Sequence, residues 1–275
     1  MSDYRAPMGD GGEHHSTART TAPATVTQSV PTWRTVTGQE AKPLVRKPWT
    51  MRRAIRLVFV LGLLVAIGMG GLIVGYTWIN PPVTTTILAQ RLGGQQIAQT
   101  WVPIARISPN LIRAVIMSED AGFCRHRGVD WRELAEAVET SRDGIARGGS
   151  TIPMQAIKNL FLWSSKSYVR KALEIPLTLA ADPLWGKPRM LEIYLNIVEW
   201  GPGIFGAEAA AQYHFKKPAS RLTEQESALL AAALPNPVAR DAGDPSALQQ
   251  KLAQNLLPRM RNAGTQRFVC LNLAP

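Results

Sequence analysis

Ser108-Pro109-Asn110-Leu111-Ile112-Arg113-Ala114-Val115-Ile116-Met117-Ser118-Glu119-Asp120-Ala121-Gly122-Phe123 reads as a helix that ends on two acids. Ser108 is a good N-cap, and proline at the first helical position has no N–H to leave unsatisfied. Leu111, Ile112, Val115 and Ile116 recur at helical spacing and form one apolar face. The pattern predicts a helix ending at Glu119. There Glu119 and Asp120 meet the negative end of the helix dipole, an electrostatic cost, and Gly122 turns the chain. A solvated acidic turn and a functional carboxylate both fit these residues.

Outward from this stretch the chain reads as mainly α. Asp130 with Glu133 resembles a capping box opening a helix to about Ser141. Thr223 with Glu226 does the same for an Ala/Leu helix that ends near Leu234, before Pro235-Asn236-Pro237. Further helices are expected at about 151–162, 167–181, 188–198, 204–215 and 246–262. Asn80-Pro81-Pro82 breaks the chain, and Val83 to Leu88 reads as a short extended stretch leading into a domain over 84–275. No sustained strand alternation and no internal repeat is present.

With 45% hydrophobic and 19% charged residues, the chain is too apolar to be disordered throughout. The formal net charge of +11 would suit a nucleic-acid binder, so the location of the charge decides. Lys42, Arg46, Lys47, Arg52, Arg53 and Arg56 cluster without an acid directly before the uncharged run Leu57 to Ile79. About 23 helical residues span roughly 35 Å, enough to cross a bilayer. The run is too long and too far from the N-terminus for a cleaved signal peptide, and it ends in Tyr76-Thr77-Trp78. The basic flank places the N-terminus in the cytoplasm and everything after residue 80 outside it, with Trp49, Tyr76 and Trp78 at the interfaces. The cationic cluster therefore faces a bilayer, and no nucleic-acid partner is expected. Residues 1–56 read as a disordered cytoplasmic tail ending in the basic cluster; the His14-His15 pair in it carries no argument for a metal. Cys124 and Cys270 are far apart, with no CxxC or His/Cys spacing that would suggest zinc. Two unrelated buried thiols are expected, although an oxidising compartment would permit pairing.

Three further segments combine charge, glycine and helix ends. Arg147-Gly148-Gly149-Ser150-Thr151-Ile152 is a glycine-rich loop feeding a helix capped by Ser150, with Gln155 and Lys158 on the next turn. Free N–H groups and nearby cations there favour an anion, while a plain turn is the simpler reading. Arg170 and Glu174, four apart beside Lys171, could be an ordinary ion pair on one helix face. Leu191-Glu192-Ile193-Tyr194-Leu195-Asn196, followed by Gly201, Gly203 and Gly206, reads first as packing.

In this order the four segments resemble the peptidoglycan glycosyltransferase family 51, the catalytic module of class A penicillin-binding proteins and of monofunctional biosynthetic transglycosylases. Glu119-Asp120-x-x-Phe123-x-x-His126-x-Gly128 matches the first motif, and Gly148-Gly149-Ser150-Thr151-Ile152 through Gln155 the second. Arg170-Lys171-x-x-Glu174 matches the third, and Leu191-Glu192-x-Tyr194-Leu195-Asn196 the fourth. The resemblance covers about residues 85–265. With no penicillin-binding serine motif and no chain left for a transpeptidase domain, it implies the monofunctional type.

The resemblance implies a mainly α, lysozyme-like, two-lobed domain behind one transmembrane helix of the bacterial inner membrane, with the catalytic domain in the periplasm. It implies lipid II and a lipid-linked growing glycan chain as substrates, β-1,4 linkage, release of undecaprenyl pyrophosphate, and other cell-wall synthesis proteins as partners. Glu119 carries over as the base that activates a weakly nucleophilic sugar hydroxyl. Glu174 carries over as a second acid, assisting the departing phosphate through a cation or holding basic residues in place. Arg147, Lys158, Arg170 and Lys171 carry over to the pyrophosphate, and Ser150, Thr151 and Gln155 to the cleft. No cofactor is implied; a divalent cation such as Mg2+ is compatible with a diphosphate substrate. Met154 stands where a second glutamine is common, Pro153 falls in the helix's first turn, and Pro176 is expected to kink the segment carrying Glu174. The arginine-containing final motif of the family is indistinct around Lys251 to Arg259. Two rivals are a lysozyme-like glycan-cleaving enzyme, which would also use two carboxylates, and an inactive membrane-tethered scaffold.

Overall fold

The computed structural model describes residues 50–140, 149–165 and 167–271. Helix α1, Met51–Gly75, has a mean hydropathy of 2.8 over its most apolar window, and Ile73 is its one buried residue. A water-exposed helix with apolar side chains all round would be an aggregation site, whereas lipid suits it. It begins six residues before the expected span and takes in Arg52, Arg53 and Arg56. Its C-terminal carbonyls are all engaged. Ile73 O accepts from the indole of Trp185 at 2.7 Å, and Leu72, Val74 and Gly75 accept from the following turn. Arg189 extends the tie, donating to the carbonyls of Tyr76 and Ile79 and to Asn80 Oδ1.

The expected extended stretch before residue 88 is instead helix α2, Thr85–Leu92, whose N-cap Thr84 accepts from the Ile87 N–H. Helix α3, Pro109–Glu119, runs as the sequence predicts, capped by Ser108. Leu111, Ile112, Val115 and Ile116 are wholly buried, and at about 1.5–3 kcal/mol per side chain this burial, more than propensity, holds the helix. Helix α4, Trp131–Glu139, is capped by Asp130, which accepts from Arg132 and Glu133 N–H groups. Helix α5, Ile152–Phe161, packs along helix α6, Tyr168–Ile197. α6 runs without a break past Pro176; the expected kink lies instead at Gly186, whose φ of 66° only glycine adopts readily.

Three short strands follow the expectation that strands are minor: β1, Ala98–Gln99, β2, Glu199–Gly201, and β3, Ile204–Phe205, in the order β1-β3-β2. Asn196 fastens this region to the rest, with its buried amide accepting from Val102 N and donating to Val102 O. Helix α7, Ala207–Phe215, therefore starts after β3 and not at residue 204. Helix α8, Glu224–Ala233, has the full Thr223/Glu226 capping box, and helix α9, Ala247–Arg261, packs with α8 against α3. Cys124 and Cys270 form a disulfide, contrary to the expectation of separate thiols. Their sequence separation of 146 residues hides a proximity that the packing of α3, α6 and the C-terminal turns creates.

Candidate active site

The end of α3 is held against the start of α5. Asp120, whose backbone leaves the helical region, is buried and receives the Ile152 N–H at 3.0 Å and His126 Nε2 at 2.9 Å. Thr151 donates to Gly128 O and accepts from Met154 N, so Thr151 is the N-cap of α5, not Ser150. Gly128, at φ +80°, lies so close to α6 that a Cβ would meet Thr178 Cγ2 at 3.0 Å. Gly149, at φ +66°, would meet Glu133 O at 2.9 Å. These glycines let the first motif segment lie against α6 and the second against α4.

Asp120 faces inward, which leaves Glu119 beside α5. Gln155 Nε2 donates to Glu119 Oε2 at 3.0 Å, and Tyr194 Oη donates to Gln155 Oε1 at 3.1 Å. Buried Tyr194 is pushed well above the usual phenol range, first by burial and then by Glu119 and Asp120. It therefore remains a donor, and it fixes which way the Gln155 amide points. Desolvation raises the Glu119 carboxyl above the usual carboxylate range; hydrogen bonds from Gln155 and Ser118 and the charge of Lys158 oppose that rise only in part. A carboxyl so placed is a stronger base than a solvated one.

Lys158 lies one turn after Gln155, and its ammonium makes no hydrogen bond or ion pair among the described residues. Burial lowers its pKa most; attraction by Glu174 and Glu119 raises it, and Arg170 and Lys171 lower it. The ammonium thus feels the charge of both carboxylates. Glu174, 1% exposed, is gripped from two sides: by Arg170 Nη1 one helical turn earlier and by Lys171 Nζ at 2.8 Å. Lys171 Nζ also reaches Ser150 Oγ at 2.9 Å, linking the second and third motif segments. Beside Gln155 and Lys158 opens a cleft of about 220 Å³, lined also by Asn159, Glu199, Phe205 and Leu234. Lys158 in its wall, and Glu119 hydrogen-bonded to the lining Gln155, suit an anionic leaving group and a proton to be removed.

A model of a transglycosylase domain matches residues 85–261. The chain belongs to the transglycosylase family. It is similar to proteins named biosynthetic peptidoglycan transglycosylase. That of Agrobacterium fabrum is 52% identical over 184 residues, covering 66% of this chain and 81% of that protein. That of Rhizobium etli is 45% identical over 223 residues, covering 80% and 95%. That of Nitrobacter winogradskyi is 46% identical over 217 residues, covering 78% and 95%. The mainly helical fold is the lysozyme-like one that membership entails.

Of the site residues expected from the sequence, Glu119, Gln155, Ser150, Thr151, Arg170, Lys171 and Glu174 take part in the hydrogen bonds and ion pairs described above, Lys158 lines the cleft beside Gln155, and Arg147 lies outside the described residues. The network divides them by role. Thr151 is spent on capping and on Gly128, and Lys171 and Arg170 are already paired with Glu174. Met154, where a second glutamine is common, is wholly buried, so the missing amide does not face the cleft. Tyr194, Asp120 and His126 were not expected to organise the site. Their only signal was their place within the first and fourth motifs. No group of three His, Cys, Asp or Glu side chains converges as metal ligands among the described residues.

Proposed function

We propose that this chain polymerises peptidoglycan glycan strands from lipid II at the outer face of the bacterial inner membrane, with Glu119 as the base. The observation that carries the proposal is Glu119 itself. It is a desolvated carboxyl oriented by the Tyr194–Gln155 relay, and the charge of Lys158 acts on it.

The acceptor's 4-hydroxyl gives its proton to Glu119 as its oxygen bonds to the anomeric carbon of the growing strand. The bond from that carbon to the lipid diphosphate breaks, and the electron pair leaves on the phosphate oxygen. Lys158, whose ammonium has no partner among the described residues, meets that charge. Arg170 and Lys171 reinforce it while Glu174 holds them in place, which favours the positioning role for Glu174 over direct acid work. The basic flank of α1 orients the N-terminus inward and the domain outward. The Cys124–Cys270 disulfide supports the same orientation, because such bonds persist in oxidising compartments.

Cleavage of a neutral glycosidic bond has no need for a cation buried beside the base, so the polymerase reading is favoured over the hydrolase. Purified protein incubated with labelled lipid II should produce glycan strands, and the same protein should leave lipid-free peptidoglycan intact. Solubilisation of lipid-free glycan without strand synthesis would replace this reading with the hydrolase.

A further inference from the structure

The last carbonyls of a helix have no partners within it, and their negative potential is worst for an acid at that end. Glu119 is the last residue of α3. The carbonyls on either side of it are met by a part of the chain far away in sequence. Met117 O accepts from Arg259 Nη2 at the end of α9, and Ala121 O accepts from Arg267 Nη1 at 2.9 Å. Arg267 belongs to the single turn Thr265–Arg267, and the next turn, Val269–Leu271, carries Cys270, bonded to Cys124. Phe268 and Leu271 are buried and fix these turns to the domain, with Arg113 over the Phe268 ring at 5.9 Å. Segment 117–124 is therefore held at two carbonyls and one covalent bond, bracketing Glu119. Arg267 and Cys270 lie beyond residues 85–261, the part matched by the family model.

We infer that residues 265–271 form a positioning strap for Glu119: Arg267 and the Cys124–Cys270 disulfide, with Arg259 beside them, hold the end of α3 so that the carboxylate keeps its register against Gln155 on α5. None of these groups touches the reacting atoms; they act through the backbone that carries the base, so the inference rests on the reading of Glu119 as base. The disulfide makes the grip dependent on redox state, complete only where thiols oxidise.

The test uses full-length enzyme in detergent with lipid II, at a temperature where each variant is folded by circular dichroism. Arg267→Ala and the double variant Cys124→Ser/Cys270→Ser should lose about 5- to 100-fold in kcat, the scale of a misplaced catalytic group, with KM within about twofold of wild type. Arg267→Lys should recover part of the loss. Dithiothreitol should slow the wild type towards the double variant and leave the double variant unchanged. If the double variant does not fold, Arg267→Ala and reduction of the folded wild type carry the comparison. Wild-type kcat in the folded variants, a loss confined to KM, or equal slowing of the cysteine-free protein by reductant would overturn the strap. Glu119→Gln, assayed in parallel, separates the two readings. Near-normal turnover there removes the base assignment, whereas an inactive Glu119→Gln beside fully active strap variants removes the strap alone.

Discussion

Gln155→Leu should move the acid limb of polymerisation to higher pH. The amide donates to Glu119 at 3.0 Å, and this hydrogen bond favours the carboxylate over the acid. Hydrogen bonds to charged groups are worth about 1.5–3 kcal/mol in all. The protonated acid would keep part of that interaction, so roughly half of it discriminates between the two forms. At 1.36 kcal/mol per pKa unit this corresponds to a rise of about 0.5 to 1 unit. The sign follows from the role. Glu119 works as a base only when ionised, its pKa is already raised by burial, and losing a donor raises it further, so activity is lost at a higher pH as the solution is acidified. Leucine has nearly the volume of glutamine but leaves Tyr194 Oη without its partner, so Gln155→Leu/Tyr194→Phe removes that complication. The assay is kcat for strand synthesis from lipid II between about pH 5 and pH 9, bracketing the expected limb. An acid limb that stays at the wild-type pH in both folded variants would refute the relay.

Lys158→Ala should weaken lipid II use by about 1.5–3 kcal/mol, and Arg170→Lys should fall between wild type and Arg170→Ala because lysine restores charge but not the planar fork; kcat/KM for each variant checks both. Glu119→Gln should melt at a higher temperature than wild type near neutral pH and lose that advantage in acid. A carboxyl whose folded pKa is raised destabilises the fold as pH rises through that pKa, and calorimetry across pH tests the sign. A reporter fused after Pro275 should be active only outside the cytoplasm and one fused before Met1 only inside, and the reverse would overturn the charge argument.

The legible parts of the fold were those set by neighbours in sequence. Ser108-Pro109 and the Thr223/Glu226 box opened helices where they were expected, because a cap is decided within four residues. Thr84-Thr85-Thr86 misled for a local reason: β-branched residues favour strands, and the same Thr84 that suggests extension is an N-cap. Pro176 also misled, since the helix tolerates it while Gly186 supplies the break. Within the site, the motif residues were legible but their division of labour was not. That Asp120 turns inward to the Ile152 N–H while Glu119 turns to Gln155 depends on how α3 meets α5. The pairing of Cys124 with Cys270, and the arginines bracketing Glu119, are tertiary facts across more than 140 residues with no local trace.

Strand synthesis from lipid II by wild type and Glu119→Gln, compared in single-turnover conditions with lipid binding followed separately, tests the central claim most directly. The amide keeps the shape of the carboxylate but cannot accept the hydroxyl proton, so synthesis should fall by roughly 10² to 10⁴ fold while lipid II binding stays at the wild-type level. Turnover near that of the wild type would contradict the assignment of Glu119 as the base.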